Sequence, residues 1–405
     1  MLRSLFSGIT GLRQHQTLMD VVSNNIANVN TTGFKSSSVV FEDTLSQLLK
    51  PAAAATASTG GMNPAQVGLG VQLGGISTNF GQGSAQNTGR STDLMVQGDG
   101  FFVVRSGNET AYTRAGSFTF DESGTLVTPE GKIVQGWSAV NGVVSTDNPI
   151  QDIKLPAGTM LPPTASSTVT ADGNITAGTT TALTLGASTY DLAGKEHALT
   201  VTLTWNGTAF DVAVVDDSDP TSTATAGVIA FDNTGAYDAT SSTLPTIQFN
   251  DGPAAAALTT VTIDLTGVTN FGGPKSLAVT AADGSAAGTL QQFQIQGDGS
   301  VVGMFSNGEK LVMATIALAN FNNPMGLQKI GETSFLETTN SGLAQIGTAG
   351  SGGRGDLLGG SIEMSNVDLA QEFTNLIIAQ RGFQANSRVI TTSDQMLQDL
   401  VDLKR

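Results

Sequence analysis

Toward the C-terminus apolar residues return at every seventh position: Leu369, Leu376, Phe383, Ile390 and Leu397, with Phe373 and Val401 on the flanking position. That spacing predicts a helical seam. The N-terminus repeats it with Leu5, Leu12, Met19 and Ile26, flanked by Leu2, Ile9 and Val22. Two such seams at opposite ends predict helices that pair with each other and with further copies of the chain. An apolar helix stripe is ordinarily packed inside its own domain. Here no neighbouring helical domain is encoded to cover it, so packing between copies is preferred over an internal two-helix clasp. The first helix is expected from residue 3 to about 29, about 40 Å long, with Asn30-Thr31-Thr32-Gly33 as its stop. Gly8 and Gly11 inside it each cost about 1 kcal/mol relative to Ala, which close helix packing has to offset. At the other end, Ser365 and Asp368 predict a capping box. Lys404 and Arg405 suit the negative end of that helix.

Between the ends the periodicity changes. Residues 35–50 carry Val39, Val40, Phe41, Leu45, Leu48 and Leu49, a short amphipathic piece closed by Pro51. From Pro51 to Gly89 there is no charged residue, which reads either as a linker or as an extended segment laid along a neighbouring copy. The alternation Val67, Leu69, Val71, Leu73 predicts strand in its second half. From Asp93 onward short strands alternate with turn signals, among them Gly98-Asp99-Gly100 and Asn141-Gly142. Leu199, Val201, Leu203 and Trp205, then Asn206-Gly207, then Phe210, Val212 and Val214 predict a hairpin with one buried face. The expected fold is therefore multidomain, with terminal α-helices forming an inner coiled-coil layer plus two nested, mainly antiparallel β domains. The boundaries are 1–34 with 361–405 for the helical layer and 35–90 for an extended connecting segment. Residues 91–145 with 281–360 make an inner β domain, and 146–280 an inserted outer β domain.

Composition narrows the chemistry. The 405 residues include 49 glycines, are 13% charged and 6% aromatic, and carry a formal charge of −16. Such acidity repels nucleic-acid phosphates and anionic lipid, so neither is an expected partner. Absent cysteine excludes disulfides, thiolate metal sites and a cysteine nucleophile. His15 and His197 are the only histidines, too few for a multi-histidine metal site, and neither stands in a catalytic pattern. Gly350 to Gly355 matches G-x-G-x-x-G in letters but has no strand before it and no βαβ unit around it, so it reads as a hinge. Asp216-Asp217-Ser218-Asp219 lacks calcium-loop spacing and reads as a solvated turn. No apolar run approaches the ~20 residues of a membrane span, and the N-terminus is not a conventional signal peptide. No cofactor, metal site or catalytic residue is expected. A secreted β-rich enzyme or adhesin, with a ligand cleft in residues 146–280, stays as the alternative of a different class.

Longer motifs carry a resemblance. Leu2-Arg3-Ser4-Leu5, Ser7-Gly8-Ile9 and the run Asp20 to Lys35, with Asn24, Asn25, Asn28, Gly33 and Phe34, are similar to the N-terminal signature of the bacterial flagellar rod and hook protein family. Gly98 to Phe102, Thr113-Arg114-Ala115-Gly116, Asn366-Val367-Asp368-Leu369, Ala379-Gln380-Arg381 and Gln384-Ala385-Asn386 resemble it too. The large insert favours the hook members over a distal rod or hook-associated axial protein. The resemblance implies a homopolymer outside the cell in the flagellar hook, a bendable tube that couples rod to filament and transmits torque. It implies as partners the distal rod protein, the hook cap, the hook-filament junction protein and the flagellar export apparatus. It also implies type III export without a cleaved signal peptide.

Overall fold

The computed structural model describes residues 2–52, 54, 60–140, 142–156, 158–249 and 259–402. Two helices and a body of mostly antiparallel strands account for the regular structure, and the chain divides into two units. The first comprises residues 1–156, 294–302 and 312–405; the second comprises 157–293 and 303–311.

In the first unit, helix α1 (Leu2–Ala27) opens the chain and helix α2 (Leu369–Asp402) ends it. The start of α2 differs from the expected capping box. Asp368 is the cap, its Oδ1 accepting the Ala370 and Gln371 N–H groups at 2.9 and 3.2 Å, while the Ser365 hydroxyl accepts the Val367 N–H. An aspartate one residue before the helix reaches the free N–H groups directly, so no reciprocal partner is required. Lys404, Arg405 and the Asn141 half of the Asn-Gly turn lie outside the described residues, as do residues 53 and 55–59 of the charge-free stretch.

The amphipathic piece after α1 forms two strands. Ser37–Asp43 pairs with Val71–Thr78, and Ser46–Lys50 pairs with Ala65–Gly68, both antiparallel. Val39-Val40-Phe41 has the β-branched and aromatic content a pleated surface accommodates. The core of this unit is aromatic: Phe80, Phe101, Tyr112, Phe321 and Phe335 meet edge-on or tilted at centroid distances of 4.8 to 5.9 Å. Strands Phe101–Ser106, Glu109–Thr113 and Ser334–Leu336 present Phe101, Tyr112 and Phe335 from neighbouring ladders, and Phe80 and Phe321 come from the segments beside strands.

The second unit buries one core between two sheets. One is wholly antiparallel: Leu183–Tyr190, Glu196–Trp205, Phe210–Asp216 and Gly227–Ile229. Leu203 opposes Val212 and Trp205 opposes Phe210, and the buried residues alternate as the pattern predicts. The turn is four residues rather than two, because Asn206 Oδ1 accepts the N–H groups of Thr208 and Ala209 at 3.1 and 2.9 Å. The second sheet departs from all-antiparallel order. Thr168–Asn174 runs parallel to Thr259–Asp264 and to Val268–Thr269. Val169, Ile247, Phe249, Val261 and Ile263 of this sheet share the core with Leu199, Val201, Leu203 and Phe210 of the other.

A recurring turn explains where part of the acidity goes. In Asp121 to Thr125, Asp191 to Lys195 and Asp232 to Ala236, the aspartate Oδ1 accepts the N–H of the residue four positions on, at 2.7 to 2.9 Å. The intervening glycine has φ of 75°, 79° or 84°, a conformation that favours glycine. Asp121 is held below the usual carboxylate range chiefly by the Thr125 N–H, and Asp232 chiefly by the Thr234 hydroxyl and the Ala236 N–H. A carboxyl depressed in the folded state stabilises above its unfolded pKa of about 3.9, and that contribution is lost as pH falls through the folded value. We expect the double variant Asp121→Asn, Asp232→Asn, which keeps an acceptor oxygen but cannot titrate, to show a shallower loss of thermal midpoint on acidification. An unchanged acid limb in a pH series of melts would exclude these turns as its source.

Candidate functional site

Small residues set how the ends of the chain meet. Helices α1 and α2 pack antiparallel within one chain, with Gly8 against Ile390, Asn386 and Val389, Gly11 against Asn386, and His15 against Gly382. A Cβ at Gly11 would stand 2.9 Å from the Asn386 amide, so the glycine is what permits the approach. On α1 the face so used is Gly8, Gly11, His15, Val22 and Asn25, of which all but His15 are fully buried. The heptad line Leu5, Leu12, Met19 and Ile26 lies roughly 70° around the helix at 3.6 residues per turn and is only half-buried. On α2, Leu376, Phe383, Ile390 and Leu397 are half-buried beside buried Ala379 and Ser393. Leu369 and Phe373 are exposed, as are Ile377, Ile378, Val389 and Met396.

A second construction fixes these helices to the strands next to them. Asn25 Nδ2 donates to Ser37 O at 2.8 Å and to Glu372 Oε1 of α2 at 3.1 Å, and its Oδ1 accepts the Ser37 N–H at 3.0 Å. Asn28 Nδ2 donates to Asn24 Oδ1 and Asn28 Oδ1 accepts from the Thr31 hydroxyl, which shapes the turn after the helix. Gly33 follows with φ of 68°, and its Cβ would lie 2.5 Å from Ala115 N, so any side chain collides with backbone. The Gly33 N–H donates to Glu363 O at 2.8 Å.

Glu363 is the hub. Its Oε1 accepts Lys35 Nζ at 2.6 Å and the Gly83 N–H at 2.8 Å, and its Oε2 faces Arg114 Nη1 at 3.6 Å. Lys35 Nζ also donates to Gly81 O at 2.9 Å, and the Arg114 guanidinium lies over the Phe101 ring at 5.2 Å. Lys35 and Glu363 have no exposed side-chain surface. Burial pulls the Lys35 and Arg114 values down from their ordinary ones, and Glu363 pushes both back up in part. Asn366 completes the ring of contacts, its Oδ1 accepting the Ser36 N–H at 2.8 Å and its Nδ2 donating to Asn79 O and Gly81 O. Lys35, Arg114 and Glu363 thus form one buried charged cluster, and Asn25 and Asn366 fix the backbone of Ser36 and Ser37 beside it.

The motif residues Asn24, Asn25, Asn28, Gly33 and Phe34 also line a cavity of about 610 Å³, closed on the far side by Lys329, Phe335 and the turn Glu332-Thr333. That turn holds two non-glycine residues at φ of 52° and 51°. Lys132 Nζ secures it through Ser334 Oγ at 2.7 Å and Glu332 at 3.1 Å. Among the described residues no group of side chains is arranged to hold a metal ion. Sequence reasoning did not single out Glu363. A lone carboxylate between Ile362 and Met364 was its one signal.

With this geometry in view, comparison with known proteins is informative. The flagella basal body rod protein model matches residues 5–35, and the FlgEFG basal body rod C-terminal model matches 358–403. Between them, the flagellar hook protein FlgE/F/G D1 domain matches 95–177 and the FlaE D2 domain matches 154–285. The flagellar hook protein FlgE of Treponema pallidum is 37% identical over 466 residues, and that of Borreliella burgdorferi 39% over 452, covering 100% of both chains in each case. The chain belongs to the flagellar hook protein family. It is a structural subunit of the hook, not an enzyme. The flagellar basal-body rod protein FlgG of Bacillus subtilis is also similar, at 33% identity with 100% of both chains covered. A Helicobacter pylori flagellar hook protein structure shares the fold, with TM-score 0.51 and 15% identity over 67% of this chain and 98% of that one. Membership makes this hook-family chain a self-polymerising component of the flagellum. No helix among the described residues is long and apolar enough to cross a membrane.

Removing one partner of a buried ion pair leaves a charge without compensation, at about 3 to 5 kcal/mol. We expect Glu363→Ala to destabilise the first unit by that order in a denaturant titration. Lys35→Met with Glu363→Leu leaves Arg114 as the one buried charge without its partner, where Glu363→Ala leaves both Lys35 and Arg114, and should lose less. Equal losses from the two variants would show that shape, not charge, holds the junction.

Proposed function

We propose that the terminal helices, residues 1–34 with 361–405, form the coiled-coil wall of the hook tube by packing against the same helices of neighbouring copies. The chain then serves as a bendable coupling that carries torque from rod to filament. The observation that supports this reading is the uncovered apolar surface of the two helices. The glycine face of α1 is used up within the chain, whereas Leu5, Leu12, Met19 and Ile26 keep part of their surface open. On α2, Phe373 and Ile378 are 50% and 56% exposed. Fully burying such a side chain contributes about 1.5 to 3 kcal/mol, so a row repeated along a tube is a sufficient driving force for polymerisation.

On the same reading Leu369, Phe373, Leu376, Phe383, Ile390 and Leu397 divide their work. The half-buried members hold α2 to α1 of the same chain, and Leu369 and Phe373 meet another copy. Asn24, Asn25, Asn28, Gly33 and Phe34 orient the helix rather than make the contact. The tube's ends meet the distal rod protein, the hook cap and the hook-filament junction protein. Subunits arrive outside the cell through the flagellar export apparatus, unfolded and without a cleaved signal peptide.

The full-length similarity to a basal-body rod protein supports a second reading, a straight and rigid axial segment. Electron microscopy of the polymer distinguishes the two by curvature: supercoiled, bendable tubes support the hook coupling and straight rods support the alternative. We expect Phe373→Asp and Ile378→Asp to abolish tubes by microscopy while leaving the monomer's melting profile unchanged, because both side chains are exposed in the single chain. Normal tubes from these variants would remove α2 from the contact.

A further inference from the structure

The strand ribbon that follows α1 has two halves. Its inner half, Ser37–Asp43 with Val71–Thr78, is seated on α1: the His15 and Phe41 rings meet edge-on at 6.2 Å, and Thr10 Oγ1 accepts the Val71 N–H at 3.4 Å. Thr44 marks the break, its N–H and hydroxyl both donating to Gly70 O, at 3.0 and 3.1 Å. Past that point every residue of Ser46–Lys50 and Ala65–Gly68 is exposed, Leu48, Leu49 and Val67 included. A lone two-stranded ribbon is marginal in water, so this half calls for a cover. Its chemistry restricts what the cover is. Residues 44–69 hold a single charged side chain, Lys50, in a chain of net charge −16, and such a piece complements an apolar surface edged with carboxylates.

The same chain carries a surface of that kind. The cavity of about 610 Å³ beside α1 is of ligand size; Phe34, Ile76 and Phe335 line it, with the exposed carboxylates of Asp20 and Glu332. Of the two lysines in its wall, Lys35 is bound to Glu363, and Lys329 Nζ donates to Lys35 O and Ser37 Oγ at 3.1 and 3.0 Å. The turn at its edge is not built for stability. Glu332 and Thr333 join Gly331 to Ser334 as a two-residue hairpin turn with both φ positive, at 52° and 51°. That turn favours Asn-Gly, and a β-branched threonine is out of place in the left-handed region. The Lys132 contact at 3.1 Å offsets little, because the Glu332 side chain is 58% exposed and the pair is screened. Strain kept at such a position points to use.

We propose that the outer half of the ribbon, Ser46–Lys50 with Ala65–Gly68, docks into this cavity on a second copy of the chain. Its apolar side chains lie against Phe34, Ile76 and Phe335, and Lys50 lies toward Asp20 and Glu332. The contact joins two different patches, so it is head-to-tail, the kind that builds an open helical polymer when its rotation does not close a ring. Self-polymerisation comes with the family, and this contact stands apart from the helix packing proposed above.

Three changes in the full chain test it, each read on assembled tubes. Glu332→Asn with Thr333→Gly gives the turn the residues it favours, so the monomer should melt higher while tubes need a higher concentration to form. Tubes at the parent's concentration overturn the proposal. Leu48→Asp with Leu49→Asp, at positions exposed in the single chain, should leave the monomer's melting midpoint unchanged and raise the concentration needed for tubes at least about tenfold. Tubes lost with Phe373→Asp but formed normally by this variant leave the helix contact standing and remove the ribbon contact. A photo-reactive benzophenone amino acid in place of Leu48, in tubes of mixed nitrogen-15-labelled and unlabelled chains, should cross-link to residues 17–37 or 329–335 of another copy, seen as peptide pairs of mixed isotope. Cross-links to the same chain only, to a different surface, or to nothing overturn the proposal.

Discussion

One carboxylate that no water reaches organises the first unit. Glu363 lies where the last short strand gives way to the lead of α2, Lys35 lies just beyond α1, and Arg114 comes from the strand body. Bringing three ionised groups out of water is unfavourable, so the cluster persists only when all three arrive together. That makes the junction cooperative. The same carboxylate ties the segment after α1 to the lead of α2, so docking of one end of the chain favours docking of the other.

The helix pair carries this coupling outward. Gly8 and Gly11 weaken an isolated helix, yet they bring α1 close enough to α2 for Asn386 and Ile390 to fill the space a side chain would occupy. The close approach is made on one face, leaving the heptad line to the side. A helix that spent its leucines on its own partner would have little left for another copy. On α1 the in-chain contact is built largely from small and polar residues, and Leu5, Leu12, Met19 and Ile26 keep part of their surface available.

How much of this could be read from the chain depends on whether the signal was periodic. The helices and the hairpin around Asn206 were legible because 3.5- and 2-residue repeats over many positions leave few alternatives. The strands of residues 37–50 were not, since five or seven residues with mixed spacing satisfy either period. The face on which α1 meets α2 was legible only in part: the glycines announced close packing, but which side of the helix they lay on relative to Leu5 and Leu12 mattered more than the repeat itself. Glu363 was hidden for a different reason. Its importance comes from residues some 250 and 330 positions away, and no local pattern encodes that separation.

The acidic residues complete the division between sites that hold and surfaces that stay free. A net charge of −16 suggests simple solubility, but several of the aspartates are engaged in structure. Asp121, Asp191 and Asp232 close turns by accepting backbone N–H groups, and Asp368 starts α2 in the same way. Each replaces a donor's lost water with a fixed anion, which is the chemistry of a helix cap used in a hairpin. Because these contacts are local, they specify the shape of each turn without requiring a large apolar core. A chain with so few aromatic residues can then keep its scarce large side chains for three places: the ring cluster around Phe101, the core of the second unit around Phe210 and Phe249, and the half-open helix surfaces.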